Sequence, residues 1–217
     1  MMERARIFLL SPAHCGGERA RLLLNERGNF PLARSLMSEG CAPLGDVFSF
    51  LSGLYFRGKI AYARAFSRPP AGTAGAMVIT ANRGLLSVDE TVSLDDLREF
   101  ARVDISANDP RYRDPLERDA RELALGVGAF ADVILLGSVA SPKYTEVLTA
   151  IFGQQLLFPG QFVGRGDMSR GGLLLRCVEE RRELEYIPVA GAILRGRRPP
   201  KLPRKETGPR KVGGRTD

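Results

Sequence analysis

Arg165, Asp167, Ser169 and Arg170 lie within "GQFVGRGDMSRGGLLLR" (residues 160–176), where five glycines separate charged groups between two apolar runs. Two guanidinium groups flanking a carboxylate can clamp an anion, with Asp167 orienting them or serving as a base. Glycine lets the backbone approach a bound group closely. From Pro159 to Gly172 the chain carries no clear helical or strand pattern over a length unusual for a connection, which predicts a functional loop. Phe162, Val163 and Met168 are its expected apolar anchors. The Arg-Gly-Asp triplet is not read as an adhesion motif, because nothing in the sequence points to secretion.

Three other polar sets follow short apolar runs. In "SPAHCGGERA", Ser11, Gly16 and Gly17 precede a predicted helix whose free N–H groups would favour an anion. The chain's single histidine, His14, fits a surface turn. Cys15, beside that helix start, could have a lowered pKa, but no second histidine is present to form a Cys–His pair. In "TANRGLL", Asn82 can pair with a base edge and Arg83 can hold a phosphate, although an Asn-capped turn with a solvent-facing arginine explains the same residues. In "GSVASPKYTEVL", Ser138 ends a run, Ser141 is the expected N-cap, and Lys143 and Tyr144 project from the first turn. A cation at a helix N-terminus opposes the dipole unless an anion is near, which makes Lys143 a candidate contact.

These sets require a scaffold. "RIFLLSPA", "GAMVITANRG", "DVILLGSVAS" and "QQLLFPG" read as buried strands, being too short for helices. "GERARLLLNERG", "FPLARSLMSEG", "GLYFRGKIAYARAF", "SLDDLREFA", "DPLERDARELALGVG" and "SPKYTEVLTAIFG" read as helices. Pro31 and Pro115 suit first turns, Ser93 with Asp96 suits a capping pair, and Gly28, Gly40 and Gly153 suit C-terminal stops. Arg57 and Lys59 are expected on the helix face opposite the aromatic residues, open to a phosphate. The alternation predicts an α/β fold: a mainly parallel sheet with helices on both faces, closed by a C-terminal antiparallel hairpin from "LLLRCV" and "LEYIPVA". Ligands bind beyond the carboxyl ends of such strands, where all four polar sets fall.

The 217 residues suit one α/β domain over 1–194, followed by a basic tail. Residues 195–217 hold nine Lys/Arg and two Asp/Glu and account for the whole net charge of +7, whereas 1–194 is balanced. With four prolines, four glycines and two large apolar residues, the tail is expected to be disordered. Its charge fits nucleic acid, DNA rather than RNA, through salt-sensitive phosphate contacts, or simple solvation. No apolar run approaches membrane length, so no membrane association is expected, and the run Ile7–Leu10 is too short for a signal peptide. Three cysteines without CxxC spacing fit a reducing, cytoplasmic setting. One histidine and scattered cysteines make no metal-ligand set, and no cofactor is expected.

Taken in order, "SGLYFRGKIAYARAF", "MVITANRGLLSVDETVSLDDL" and "DVILLGSVASPKYTEVL" resemble YaaA-type peroxide-stress proteins and related uncharacterised domains found beside deazaguanine-modification genes. The likeness spans roughly residues 6–152. It implies an α/β fold and a nucleic-acid or nucleobase context; it assigns no site residue. The residues and the likeness together give the leading expectation: a nucleobase- or nucleotide-recognising protein acting on nucleic acid by hydrolysing or exchanging an N-glycosidic bond. Asp167 is its candidate catalytic carboxylate, Asn82 the base reader, and Lys143, Arg165 and Arg170 the phosphate or leaving-group contacts. The alternatives are a non-enzymatic DNA-associated stress protein and an enzyme acting on a small phosphate ester.

Overall fold

Phe8 and Leu10 pack into one layer and Ile7 and Leu9 into the other, so the first strand is apolar on both faces. The computed structural model of the chain describes residues 4–25, 27–140, 142–192, 196–197, 199–200 and 202. Strands β1 (Ala5–Leu10), β3 (Ala76–Ile79), β6 (Ala131–Leu136) and β7 (Leu156–Pro159) run parallel. Strand β4 (Leu85–Ser87) lies antiparallel on β3, and β8 (Tyr186–Pro188) antiparallel on β7, giving the order β4-β3-β1-β6-β7-β8. Strands β2 (Ala42–Pro43) and β5 (Thr91–Val92) form a separate antiparallel pair.

Helices cover both faces, as the alternation predicts. Phe8, Leu10, Ile134 and Leu136 meet α3 (Leu44–Ser52), α4 (Leu54–Phe66), α5 (Leu94–Phe100) and α8 (Asp167–Glu179). Helices α1 (Glu18–Leu23) and α2 (Pro31–Ser38) add Leu23 and Leu36 to that layer. Ile7, Leu9, Val133 and Leu135 meet α6 (Pro110–Val127) and α7 (Pro142–Phe152) on the opposite side. Ser93 and Asp96 form the expected capping box on α5, with Ser93 N donating to Asp96 Oδ2 at 2.8 Å. Among the described residues no helix is long and apolar enough to cross a membrane.

Several boundaries differ from the sequence expectation. Helix α6 starts at Pro110 behind the Asp109 cap, so Pro115 lies inside the helix instead of opening it. Gly53, at φ 65°, breaks the aromatic-rich stretch into α3 and α4. The antiparallel closure exists, but β7 and β8 make it. "LLLRCV" belongs to α8 and fills the core through Leu173, Leu174 and Cys177. The glycine-rich "loop" is accordingly short: a 3-10 turn at Gly160–Phe162, four connecting residues, then α8 from Asp167. Gly171 is required there by packing, since a Cβ on it would stand 2.8 Å from Tyr55 Cα. A Cβ on Gly58 would stand 2.8 Å from Gly171 O, so α4 and α8 cross with their backbones in contact.

Candidate functional site

Strand order fixes where a ligand fits. The chain leaves β1 toward β3 and leaves β6 toward β7, so β1 and β6 flank the point where the connections diverge. In open parallel sheets that point opens a crevice at the carboxyl ends. A cleft of about 350 Å³ lies there. Residues 12–16 after β1, Ala81 after β3, and Lys143 and Tyr144 opening α7 line it, with Phe48 of α3 and Phe100 to Ile105 closing it. Phe48, Phe100 and Tyr144 give it three aromatic walls, and Lys143 and Asp104 are its exposed charges.

Beside the cleft, the crossing of α4 and α8 gathers a second set of polar groups. Lys59 is 1% exposed, and its Nζ donates to Ser11 O at 2.5 Å and lies 3.0 Å from Ser11 Oγ. The amine also sits over the rings of Tyr55 and Phe56, at 4.6 and 4.4 Å. Desolvation lowers its pKa to about 7; Asp167 works against that shift and Arg170 with it. Gly137 makes room for the pair, because a Cβ there would lie 2.9 Å from Ser11 Cβ. Tyr55 Oη is buried, and burial raises its pKa while the neighbouring Arg170 cation works against the shift. Burial likewise raises the pKa of Tyr144 to about 12, with the Asp167 charge adding to the shift.

The predicted residues divide among several places. Ser11 joins the polar set and Gly16 the cleft. His14 folds over Gly16 and Gly17, its ring 3.3 to 3.4 Å from where a Cβ on either would stand. Helix α1 has only six residues, so the expected anion cradle at its start has little dipole behind it. Cys15 is buried and its pKa is raised to about 12, against the lowering that a helix start would give. Lys143 and Tyr144 line the cleft, Ser138 is half-buried just after Gly137, and Ser141 lies outside the described residues.

Asn82 and Arg83 belong to the turn that joins β3 to β4. Arg83 N donates to Thr80 Oγ1 at 3.0 Å and Arg83 NH1 pairs with Asp96 at 2.7 Å, so its cation is committed to structure. Asn82 lines a neighbouring open cleft with Arg111, Asp114 and Arg118, and its Oδ1 is buried without a partner. Arg165 faces away from both clefts, bonding Gln161 O, Ser169 Oγ and Pro200 O at 3.0, 3.2 and 3.3 Å. Arg170 is buried against Phe162, donating to its carbonyl through Nε and NH2 at 3.3 and 3.1 Å, and reaches exposed Asp167 at 3.5 Å. The clamp expected from Arg165, Asp167 and Arg170 therefore does not form: the two guanidinium groups have separate structural partners. Asn82, Lys143 and Arg165 line three different concavities.

Two elements of the candidate site are not evident in the sequence. Lys59 was assigned to an open face, yet it falls in the same stripe as Tyr55, Phe56, Ile60, Tyr62 and Ala63, all buried. That stripe was the available signal. The segment Phe100–Ile105 carries no motif at all and enters the cleft only through the fold. Tail residues also differ from expectation: Pro199, Pro200 and Leu202 lie against Arg165, Met168 and Arg176, with Leu202 packed on the core. Apart from exposed Gly196 and Arg197, the rest of the basic stretch lies outside the described residues. No family model, curated protein or solved structure matches the chain. The functional reading therefore rests on the geometry. Among the described residues no group of three or more His, Cys, Asp or Glu is placed to hold a metal ion.

Proposed function

We propose that the cleft at the carboxyl ends of β1, β3 and β6 binds a nucleobase or nucleotide unit of nucleic acid, and that the protein hydrolyses or exchanges its N-glycosidic bond. The observation that carries this reading is the composition of that one cleft. Half-buried Tyr144 offers apolar ring surface to a planar base, the buried Phe48 and Phe100 give the cleft an apolar floor, and Lys143 offers a cation to a phosphate at the rim. Asp104 is the carboxylate in the cleft lining, which makes it, in place of Asp167, the candidate base. A carboxylate there accepts the proton of the water that attacks C1′, and the base leaves with the bonding pair. The volume of about 350 Å³ accommodates a single nucleoside unit, not a duplex, so the target nucleotide enters alone.

A direct test incubates the protein with single-stranded and damaged oligonucleotides and with free nucleosides, and follows free base by chromatography. Base release that falls with Asp104→Asn and Lys143→Ala supports the reading; no release and no binding of any nucleotide removes it. A second reading, DNA association without catalysis, is favoured by the nine Lys/Arg of 195–217 and by the anchorage of Pro199, Pro200 and Leu202 beside α8. A chain ending at Leu202 keeps that anchor and loses five of those basic residues. If its DNA binding and the salt dependence of that binding collapse while Lys143→Ala changes nothing, the second reading holds.

A further inference from the structure

We propose that Ser11 and Lys59 form a nucleophile–base pair, in which Ser11 attacks the sugar C1′ and holds it covalently between two steps of glycosyl transfer. The pair is read from geometry, and its electrophile rests on the N-glycosidic reading above. Ser11, the first residue beyond β1, is 7% exposed and lies directly behind Pro12 and Ala13, which line the cleft. Lys59 Nζ lies 3.0 Å from Ser11 Oγ, the separation at which an amine accepts a hydroxyl proton. The second contact, to Ser11 O at 2.5 Å, uses an amine N–H and leaves the nitrogen lone pair for the hydroxyl.

A purely structural lysine would be expected to meet a carboxylate, or to reach solvent along its stem. Lys59 does neither: it is 1% exposed and its contacts are one serine and two aromatic rings. Around it stand Asp167 and Arg170 from α8 and Tyr55 from its own helix, with Tyr144 of α7 coupled to Tyr55 and Asp167. Burial lowers its pKa to about 7, so a large share of the amine is neutral and basic near neutral pH. Serine–lysine pairs serve as nucleophile and base in acyl transfer on unrelated folds, so a lysine can activate a serine without histidine.

The steps balance. In the first, the Ser11 Oγ–C1′ bond forms and the C1′–N bond breaks. The Ser11 proton passes to Lys59, and the bonding pair leaves with the base, which takes a proton from water. In the second, water or the N–H of an incoming base attacks C1′ and loses its proton to Asp104, which returns it to solvent. Ser11 then departs as a hydroxyl by recovering the proton held on Lys59.

A fluorophosphonate probe tests the pair independently of any nucleoside, with peptide mass spectrometry locating the adduct. The proposal expects labelling at Ser11 whose rate rises with pH with an apparent pKa near 7, is abolished in Ser11→Ala, and falls at least about 100-fold in Lys59→Met. Lys59→Met also leaves Ser11 O without a partner, so near-ultraviolet circular dichroism checks its fold; if it fails to fold, Ser11→Ala and the wild-type pH profile decide. Labelling at other residues only, labelling of Ser11 without a pH dependence near 7, or no labelling at any pH overturns the pair. Labelling as expected with no base release from any oligonucleotide upholds the pair and removes the glycosidic substrate. Base release undiminished in Ser11→Ala upholds the substrate and removes the pair.

Discussion

Gly171→Ala and Gly172→Ala make the same chemical change at adjacent positions of α8, and the structure assigns them opposite signs. A Cβ on Gly171 would stand 2.8 Å from Tyr55 Cα, 2.9 Å from Leu54 O and 3.0 Å from Leu54 C. All three are backbone atoms of α4, so no side chain can turn aside and the two helices must part. Overpacking a rigid contact costs about 1–3 kcal/mol. Alanine recovers ~1 kcal/mol over glycine through helix propensity, which leaves a net loss of up to about 2 kcal/mol. A Cβ on Gly172 meets only Leu202 Cδ1 at 3.7 Å, an ordinary contact, so propensity alone acts and the variant gains about 0.5–1 kcal/mol. Urea unfolding followed by far-ultraviolet circular dichroism reads both as midpoint shifts, provided the slope is unchanged. If Gly171→Ala is as stable as Gly172→Ala, the backbone crossing of α4 and α8 is wrong, and with it the placement of Lys59 among Asp167, Arg170 and Tyr55.

Lys59 makes stability depend on pH. With its pKa brought down to about 7 from 10.5, the unfolded chain binds more protons than the folded one in between, so stability rises with pH by up to about 1.4 kcal/mol per unit from pH 7 to 9. Above pH 9 the trend reverses, because Cys15 and the buried tyrosines keep protons in the fold that the unfolded chain releases. Urea midpoints between pH 6 and 9 should show the rise in wild type and lose it in Lys59→Met; an equal slope in both contradicts the assignment. Tyr62→Phe should cost about 1–3 kcal/mol, because Tyr62 Oη accepts from Leu184 N at 2.7 Å and extends through Tyr186 to Glu183; thermal melts within experimental error of wild type would refute the network. Lys143→Ala should weaken a deoxynucleoside monophosphate about tenfold and leave the matching nucleoside unchanged, as calorimetric titration would show; equal losses for both would remove Lys143 from phosphate binding.

Much of the scaffold was legible because burial on both faces writes itself as uninterrupted apolar runs. Ile7–Leu10 and Ala131–Leu136 read as strands for that reason, and Ser93 with Asp96 marked a helix start. Residues 160–176 misled because glycine signals a loop locally, whereas Gly171 is there to let another backbone approach. Tertiary packing overrides propensity at such a crossing, and one sequence contains no record of which helix will arrive. Of the four polar sets, the residues after β1 and β6 do reach the candidate site. Arg83, Arg165 and Arg170 do not, since each has a partner supplied by the fold: Asp96, Ser169 and Phe162. Asp104 and Phe100 could not be singled out, because a cleft-lining role there depends on where α5 ends against the β1 loop.

The central claim is that a nucleotide unit binds among Ala13, Phe100, Asp104, Lys143 and Tyr144. Amide chemical shifts recorded while the full chain is titrated with the four 2′-deoxynucleoside 5′-monophosphates test it most directly. The account predicts saturable shifts concentrated in residues 13–16, 100–105 and 143–144, with the Phe48 amide following. Shifts confined to 195–217 and the α8 face near Arg165, or none at millimolar nucleotide, would contradict it.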